Sequence, residues 1–206
     1  MATAVLKRTS VLRPDSAGIR MSPREFDRAE FVEGWRYELI DEVLVVMPPP
    51  LEAERDPNEE LGHWLRTYQE SNPQGSPLDK TLPEQTVQTR RNRRRADRVI
   101  WAGLGRLPRR NETPTIVAEF VSEGRREQTR DYEEKRDEYM EVDVQEYWII
   151  DRFERIMTVY SRQGKRVRKR VIRENEIYTT PLLPGFELPL ARLLALADQW
   201  SEEKSD

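Results

Sequence analysis

The sequence predicts an α/β fold: a mixed central sheet with helices on both faces and an added N-terminal hairpin. Three features predict it. The apolar runs Ile116–Val121 and Tyr147–Ile150 have the length and side-chain types of strands. Between them, Glu127–Glu141 contains no glycine or proline and many strong helix formers. Ahead of them, Trp35–Ile40 and Val43–Met47 read as a hairpin.

The other elements follow in order. Residues 1–20 are unpatterned and expected to form a mobile extension, with a single domain over 21–200 and a frayed end over 201–206. Ser22, Pro23 and Glu25 spell a helix start: N-cap, first-turn proline and a glutamate three residues after the cap. That helix would carry Phe26, Ala29 and Phe31 inward. Pro48, Pro49 and Pro50 stop the hairpin. Glu52–Glu70 reads as a helix with Pro57 near its start, and Leu61, Trp64, Leu65 and Tyr68 form its core stripe. His63 lies off that stripe and is read as a surface residue. Ser71–Pro83 reads as a loop, Glu84–Arg90 as a strand, and Val99 as the beginning of another. Ile156–Ser161 and Lys165–Ile172 alternate as a hairpin, Glu176–Tyr178 adds a short strand, and Leu190–Trp200 closes the chain as a helix presenting Leu193, Leu194, Ala197 and Trp200 on one face.

Composition narrows the function classes. The chain has 206 residues, 35% of them charged and 36% hydrophobic, enough for one core beneath a heavily charged surface. Mean hydropathy is −0.85. The formal net charge of −3 means that nucleic-acid contact must come from local basic patches. The absence of cysteine excludes disulfides and thiolate metal sites, and a single histidine argues against zinc. No apolar run approaches the roughly 20 residues of a membrane span, and the N-terminus lacks the apolar core of a signal peptide. A cytoplasmic protein with no membrane partner is expected.

Three residues stand out as candidates for chemistry. Glu119 lies inside an apolar strand, where an unpaired carboxylate is costly to bury. It therefore calls for a cation, a donor or a solvated cleft. Asp97 follows a basic run and opens an apolar one; alone it reads equally as a turn or capping residue. Lys135 follows Asp131 and precedes Tyr139 at i, i+4 spacing, a pattern that also fits an ordinary surface ladder. Two carboxylates on neighbouring strands and a lysine from the next helix suit a hard divalent cation and a phosphodiester. Arg90–Arg95 holds five arginines in six positions, either a solvated turn or a phosphate-contact patch beside Asp97. Arg106–Arg110 is a second basic loop, and Arg125, Arg126 and Arg130 make a third.

The order and spacing of several pieces resemble the Uma2 family of restriction-endonuclease-like proteins, within the PD-(D/E)XK nuclease superfamily. The pieces are Ala96 and Asp97; Val117 to Ser122; Arg130 to Arg136 with Tyr139; and Glu146 to Asp151. Flanking pieces, Tyr37 to Asp41, Val45 to Pro50 and Pro181 to Leu188, also match. The resemblance covers roughly residues 20 to 195 and implies a restriction-endonuclease-like fold. It puts Asp97 and Glu119 on the metal-binding acids, with the Phe120 carbonyl as a further ligand, and Glu38 as a candidate third acid. The standard motif places a lysine two positions after the strand acid, where this chain has Val121. The Uma2 pattern carries it on the next helix instead, and Lys135 matches. Departures are Ala96 for a common proline, Glu123 and Gly124 after Ser122 where a proline is common, Asp41 and Glu42 for an Asp-Gly turn, and Glu54 for a common histidine.

The expected function is Mg²⁺-dependent hydrolysis of DNA, with Mn²⁺ as a substitute and a homodimer as the form that cuts both strands. Two alternatives remain open. One is a nuclease-like module that binds nucleic acid or protein without cutting, and the other a mainly structural protein using its charged helix for assembly.

Overall fold

Strands β3 (Arg36–Ile40), β4 (Val43–Met47), β6 (Arg93–Ala102), β7 (Ile116–Phe120), β8 (Glu146–Asp151), β9 (Ile156–Gln163) and β10 (Arg166–Arg173) make one twisted sheet. Its order is β10-β9-β8-β7-β6-β3-β4, and β5 (Leu78–Gln88) pairs with the free edge of β6. These come from a computed structural model that describes residues 10–72, 76–123, 130–164 and 166–202. Within this sheet, among the described residues, only β7 and β8 run parallel. The connection between them carries a π-helical segment, Arg130–Lys135, running directly into helix α3 (Arg136–Glu141). Glu127 to Thr129, at the start of the expected helix, lie outside the described residues.

Each face of the sheet has its own core. On one, Ile100, Ile116, Ala118, Phe120, Trp148 and Ile150 pack with Leu61 and Leu65 of α2 (Glu52–Glu70) and with Leu193 and Leu194 of α4 (Leu190–Glu202). On the other, Val99, Val117, Val121, Tyr147 and Ile149 pack with Tyr139 and Met140 of α3. Strand alternation separates the two sets, because successive side chains leave opposite faces. Arg98 is fully buried on the α2 side, where Nε donates to Asn58 Oδ1 at 2.6 Å and Nη2 to Asn58 O at 2.7 Å. Gly62 makes room for it: a Cβ there would come within 2.7 Å of the guanidinium.

Ser22 caps the short helix α1 (Pro23–Phe26) through the expected capping box. The hairpin forms with both turn residues left-handed, Asp41 at φ 47° and Glu42 at φ 63°. Asn92 Oδ1 accepts from the Asp41 amide at 2.8 Å.

Several expectations need correction. Residues 10–20 are not a loose extension: β1 (Val11–Leu12) pairs in parallel with β2 (Glu30–Phe31), Leu12 is buried, and Arg20 bridges Val43. Residues 1–9 lie outside the described residues. Phe31 stays 39% exposed because α1 ends at Phe26. Much of the expected loop before Pro83 is strand, since β5 begins at Leu78. Pro57 is the sixth residue of α2, inside the helix rather than at its first turn. Trp200 is 38% exposed and donates to Asp56 at 3.0 Å instead of joining the core.

Candidate active site

One edge of β6 belongs wholly to β5, while the other is divided. Arg98 to Ile100 pair with β7, but Arg93 pairs with Leu39 of β3. The sheet forks between these ladders, and the opening leaves main-chain groups without strand partners. Side chains supply them. The β6–β7 ladder ends at Arg98↔Ala118, and the next inward amide of β7, Phe120 N, donates to Asp97 Oδ2 at 2.8 Å. Arg95 N donates to Glu38 Oε1 at 2.9 Å. Lys135 Nζ reaches Arg95 O at 3.4 Å. Leaving such a group unpaired in the interior costs about 1–3 kcal/mol.

Lys135 is the centre of the cluster. Its Nζ lies 2.9 Å from Glu119 Oε2, 3.4 Å from Asp131 Oδ1 and 3.9 Å from Glu38 Oε1. All four residues are buried. The Asp131–Lys135 pair is therefore not a solvated ladder. Tyr139, one helical turn on, donates to Glu119 Oε1 at 3.0 Å. The Tyr147 hydroxyl donates to Asp131 O at 3.1 Å, pinning the π-helical segment to β8. Asp97, in the middle of β6 and not at a strand start, is held through its other oxygen by Arg36 Nη1 at 3.2 Å. Glu38, Glu119 and Lys135 are thus brought together around one amine, with Asp97 at the same fork.

Burial pushes the Glu119 carboxyl well above the usual glutamate range; Lys135 pulls it back, while Asp97 and Asp131 push it up. Tyr139 is raised by burial and then by Glu119 and Glu38, so it remains a neutral donor. Glu54, near the start of α2, is raised by burial and by Asp97, against a Ser122 hydrogen bond and the charges of Arg36 and Arg152. Glu84 on β5 is raised by burial and by Asp97 too. A cleft of about 820 Å³ opens beside this region, lined by Arg36, Glu54 and Ser122 and walled by Val43, Val45 and Met47; Asp97, Glu119 and Lys135 are buried behind Arg36 and do not line it.

The basic run beside Asp97 divides: Arg90 and Arg91 are exposed at a bend, with Arg90 on Glu141 at 3.0 Å, while the other three arginines form neither a solvated turn nor a phosphate patch. Arg93 binds Asp27 at 2.7 Å, and Arg95 binds Glu84 at 3.2 Å. Arg94, buried, binds Glu138, Glu134 and Glu38. Burial works against its charge, but Glu138 and Glu38 outweigh that and hold its pKa above normal. In the second loop Arg106 is committed to Glu112 at 2.7 Å, while Arg109 and Arg110 are exposed. Arg125, Arg126 and the side chain of Arg130 lie outside the described residues.

Sequence reasoning missed Arg36 and took Arg94 only as part of a basic run, because their partners are 61 and 44 residues away. It noted Glu54 only as standing where related sequences commonly carry a histidine, and gave it no role in the site. Among the described residues, no three of His, Asp and Glu are gathered as a metal-binding set, and no helix is long and apolar enough to cross a membrane.

A large mixed sheet flanked by helices is the restriction-endonuclease-like fold. Residues 23–191 match the family model Uma2, described as "Putative restriction endonuclease", and the chain belongs to that family. Its fold is similar to the crystal structure of a putative nuclease belonging to DUF820 from Anabaena variabilis ATCC 29413, with a TM-score of 0.67 and 14% identity over 86% of this chain and 99% of that one. The type IIG restriction endonuclease BpuSI is also matched, over 74% of this chain and 17% of that one at 14% identity. Its TM-score of 0.34 is too low for an argument from fold. No match was found among curated protein sequences.

Proposed function

We propose that the chain is a metal-dependent endonuclease hydrolysing DNA phosphodiester bonds, with Asp97 and Glu119 as metal ligands and Lys135 as the catalytic cation. The observation that carries this reading is the convergence of β6, β7 and the π-helical segment on one fork beside an open cleft. The donor chemistry fits a hard cation. Mg²⁺ takes one or two carboxylates and fills its shell with water and phosphate; burial first, and then the charges of Asp97 and Asp131, raise the Glu119 pKa, and a divalent ion would offset that repulsion. When bound, the ion polarises the phosphate and acidifies a water. Lys135 stabilises negative charge developing on the phosphate. Arg36 and the Phe120 amide orient Asp97, and Tyr139 orients Glu119. Glu38 acts through Lys135 and the β6 backbone as a positioning residue.

A second reading has its own observation. The Lys135 ammonium already sits 2.9 Å from Glu119, where a cation would be needed, which suits a nuclease-like module that binds without cutting. Plasmid cleavage with Mg²⁺, with Mn²⁺ and with chelator separates the two. The proposal expects metal-dependent nicking that falls at least about 100-fold in Glu119→Gln, with the thermal melt retained. Equal rates for the two proteins would refute it. Calorimetry that detects no Mn²⁺ uptake would favour the binding module.

A further inference from the structure

Most of the arginines that flank the fork are spoken for. Arg36, Arg93, Arg94 and Arg95 each lie within 3.4 Å of a carboxylate. The cleft beside Asp97 also carries Glu54, Glu123 and Glu134, acidic groups whose repulsion of a polyanion a bound divalent ion would offset.

The edge strand β10 is different. Arg166, Arg168, Lys169, Arg170 and Arg173 place five cations in its eight residues, and all five are exposed. Among the described residues, none of them has an ion-pair partner. Pairing with β9 sets Arg166, Arg168 and Arg170 opposite Gln163, Ser161 and Val159, on one face of the sheet. There Arg168 and Arg170 line a concavity of about 480 Å³, whose rim also includes Arg162, itself paired with Asp143 at 3.6 Å. Its one acidic lining residue, Glu146, is buried and already accepts from Trp148 and Tyr178 at 2.9 Å and from Thr180 at 2.8 Å. The Arg170 guanidinium rests 5.9 Å from the Tyr178 ring centroid, which limits the freedom lost on binding.

Cations on an edge strand also discourage strand-to-strand aggregation. A few lysines achieve that. Four arginines of five cations, three of them in line beside a concavity, go further, because guanidinium makes planar bidentate contacts to phosphate.

We propose that β10 and its concavity form a docking strip for the phosphodiester backbone of a nucleic acid. Alternate residues of a strand recur at about 6.8 Å, so the three aligned arginines span about 14 Å. β9 and β8 separate the strip from β7, three inter-strand steps or about 14 Å. It contacts backbone and reads no bases, and so supplies affinity and salt dependence without sequence preference. The choice of nucleic acid among polyanions rests on the nuclease reading above; the strip itself does not.

Fluorescence anisotropy with a short labelled DNA duplex, in chelator and across a salt series, tests this. In Arg166→Gln/Arg168→Gln/Arg170→Gln, the slope of log K against log salt should shrink by about 2.7, at about 0.9 per phosphate contact. Affinity at low salt should fall at least tenfold. The triple Arg→Lys protein should retain most of the slope, and Arg55→Gln/Arg66→Gln on α2 should behave as wild type. Parallel arms with single-stranded DNA and duplex RNA identify which backbone the strip takes. An unchanged slope in the glutamine variant overturns the proposal. So does binding to anionic phospholipid vesicles without binding to any nucleic acid, or a variant that binds normally but aggregates. Because no cleavage is read, a wild type that binds through the strip yet never cuts sinks the nuclease reading alone. Normal cutting with an unchanged slope sinks only the strip.

Discussion

Lys135→Met removes one charge and keeps most of the apolar stem. In the wild type the ammonium faces Glu119, Asp131 and Glu38 within 3.9 Å, and the side chains of all four are at most 3% exposed. Deleting it leaves buried carboxylates uncompensated. Breaking one side of a buried ion pair typically costs about 3–5 kcal/mol. For a chain of this size each kcal/mol moves Tm by roughly 2–4 °C, so a drop of about 6–20 °C is expected in a melt followed by circular dichroism. The loss depends on pH in a defined direction. Lys135 lowers the Glu119 pKa, so its removal raises that pKa further above the unfolded value of about 4.5. A raised folded pKa means that the native state binds the extra proton, and stability falls as pH rises through that value. The deficit should be widest at neutral pH and narrow on acidification. Glu119→Gln introduced into Lys135→Met should recover part of it, because the two changes are coupled. A Tm within 2 °C of wild type at neutral pH, or a deficit that widens on acidification, would refute the buried cluster.

Three further changes probe the frame around the site. Glu42→Gly relieves a left-handed residue at φ 63° and should raise stability by about 0.5–1 kcal/mol in urea unfolding. Gly62→Ala gains helix propensity but drives a Cβ against the buried Arg98 guanidinium; a net loss of about 1–3 kcal/mol is expected from overpacking, and a more stable protein would show that Arg98 moves freely. Glu54→Gln removes a carboxyl whose folded pKa is raised by burial and by Asp97. Wild-type stability should therefore fall as pH rises from about 4.5 through the raised value, and the variant should show a flatter profile over that window in denaturant titrations.

Much of this architecture was legible in the sequence because its signals are local. Ser22 and Glu25 cap α1, the polar stretch ending at Glu141 forms the helix between β7 and β8, and β8 spans Glu146–Asp151 as its apolar run suggests. His63 is exposed, as its place off the apolar stripe requires. What escaped is non-local. The charge pattern of Asp131 and Lys135 looks the same on a solvated helix as on one pressed against a forked sheet. Only tertiary packing decides, and here both are buried. Likewise Arg93, Arg94 and Arg95 read as a cationic patch until Asp27, Glu138 and Glu84 arrive from other elements. The fork itself has no sequence signature, since it consists of β6 changing partners from β7 to β3.

The wide coil at Arg130–Lys135 holds one residue more than an α-helical path over the same rise would use. Each residue of an ordinary helix advances the azimuth by about 100°. Excising a single residue there, whichever it is, would let the coil tighten and swing its incoming half by about that angle relative to α3. Either Asp131 would lose its place beside the amine, or the amine itself would point away from β7. The phase of this segment, as much as the identity of its side chains, is what a redesign of the protein would have to preserve.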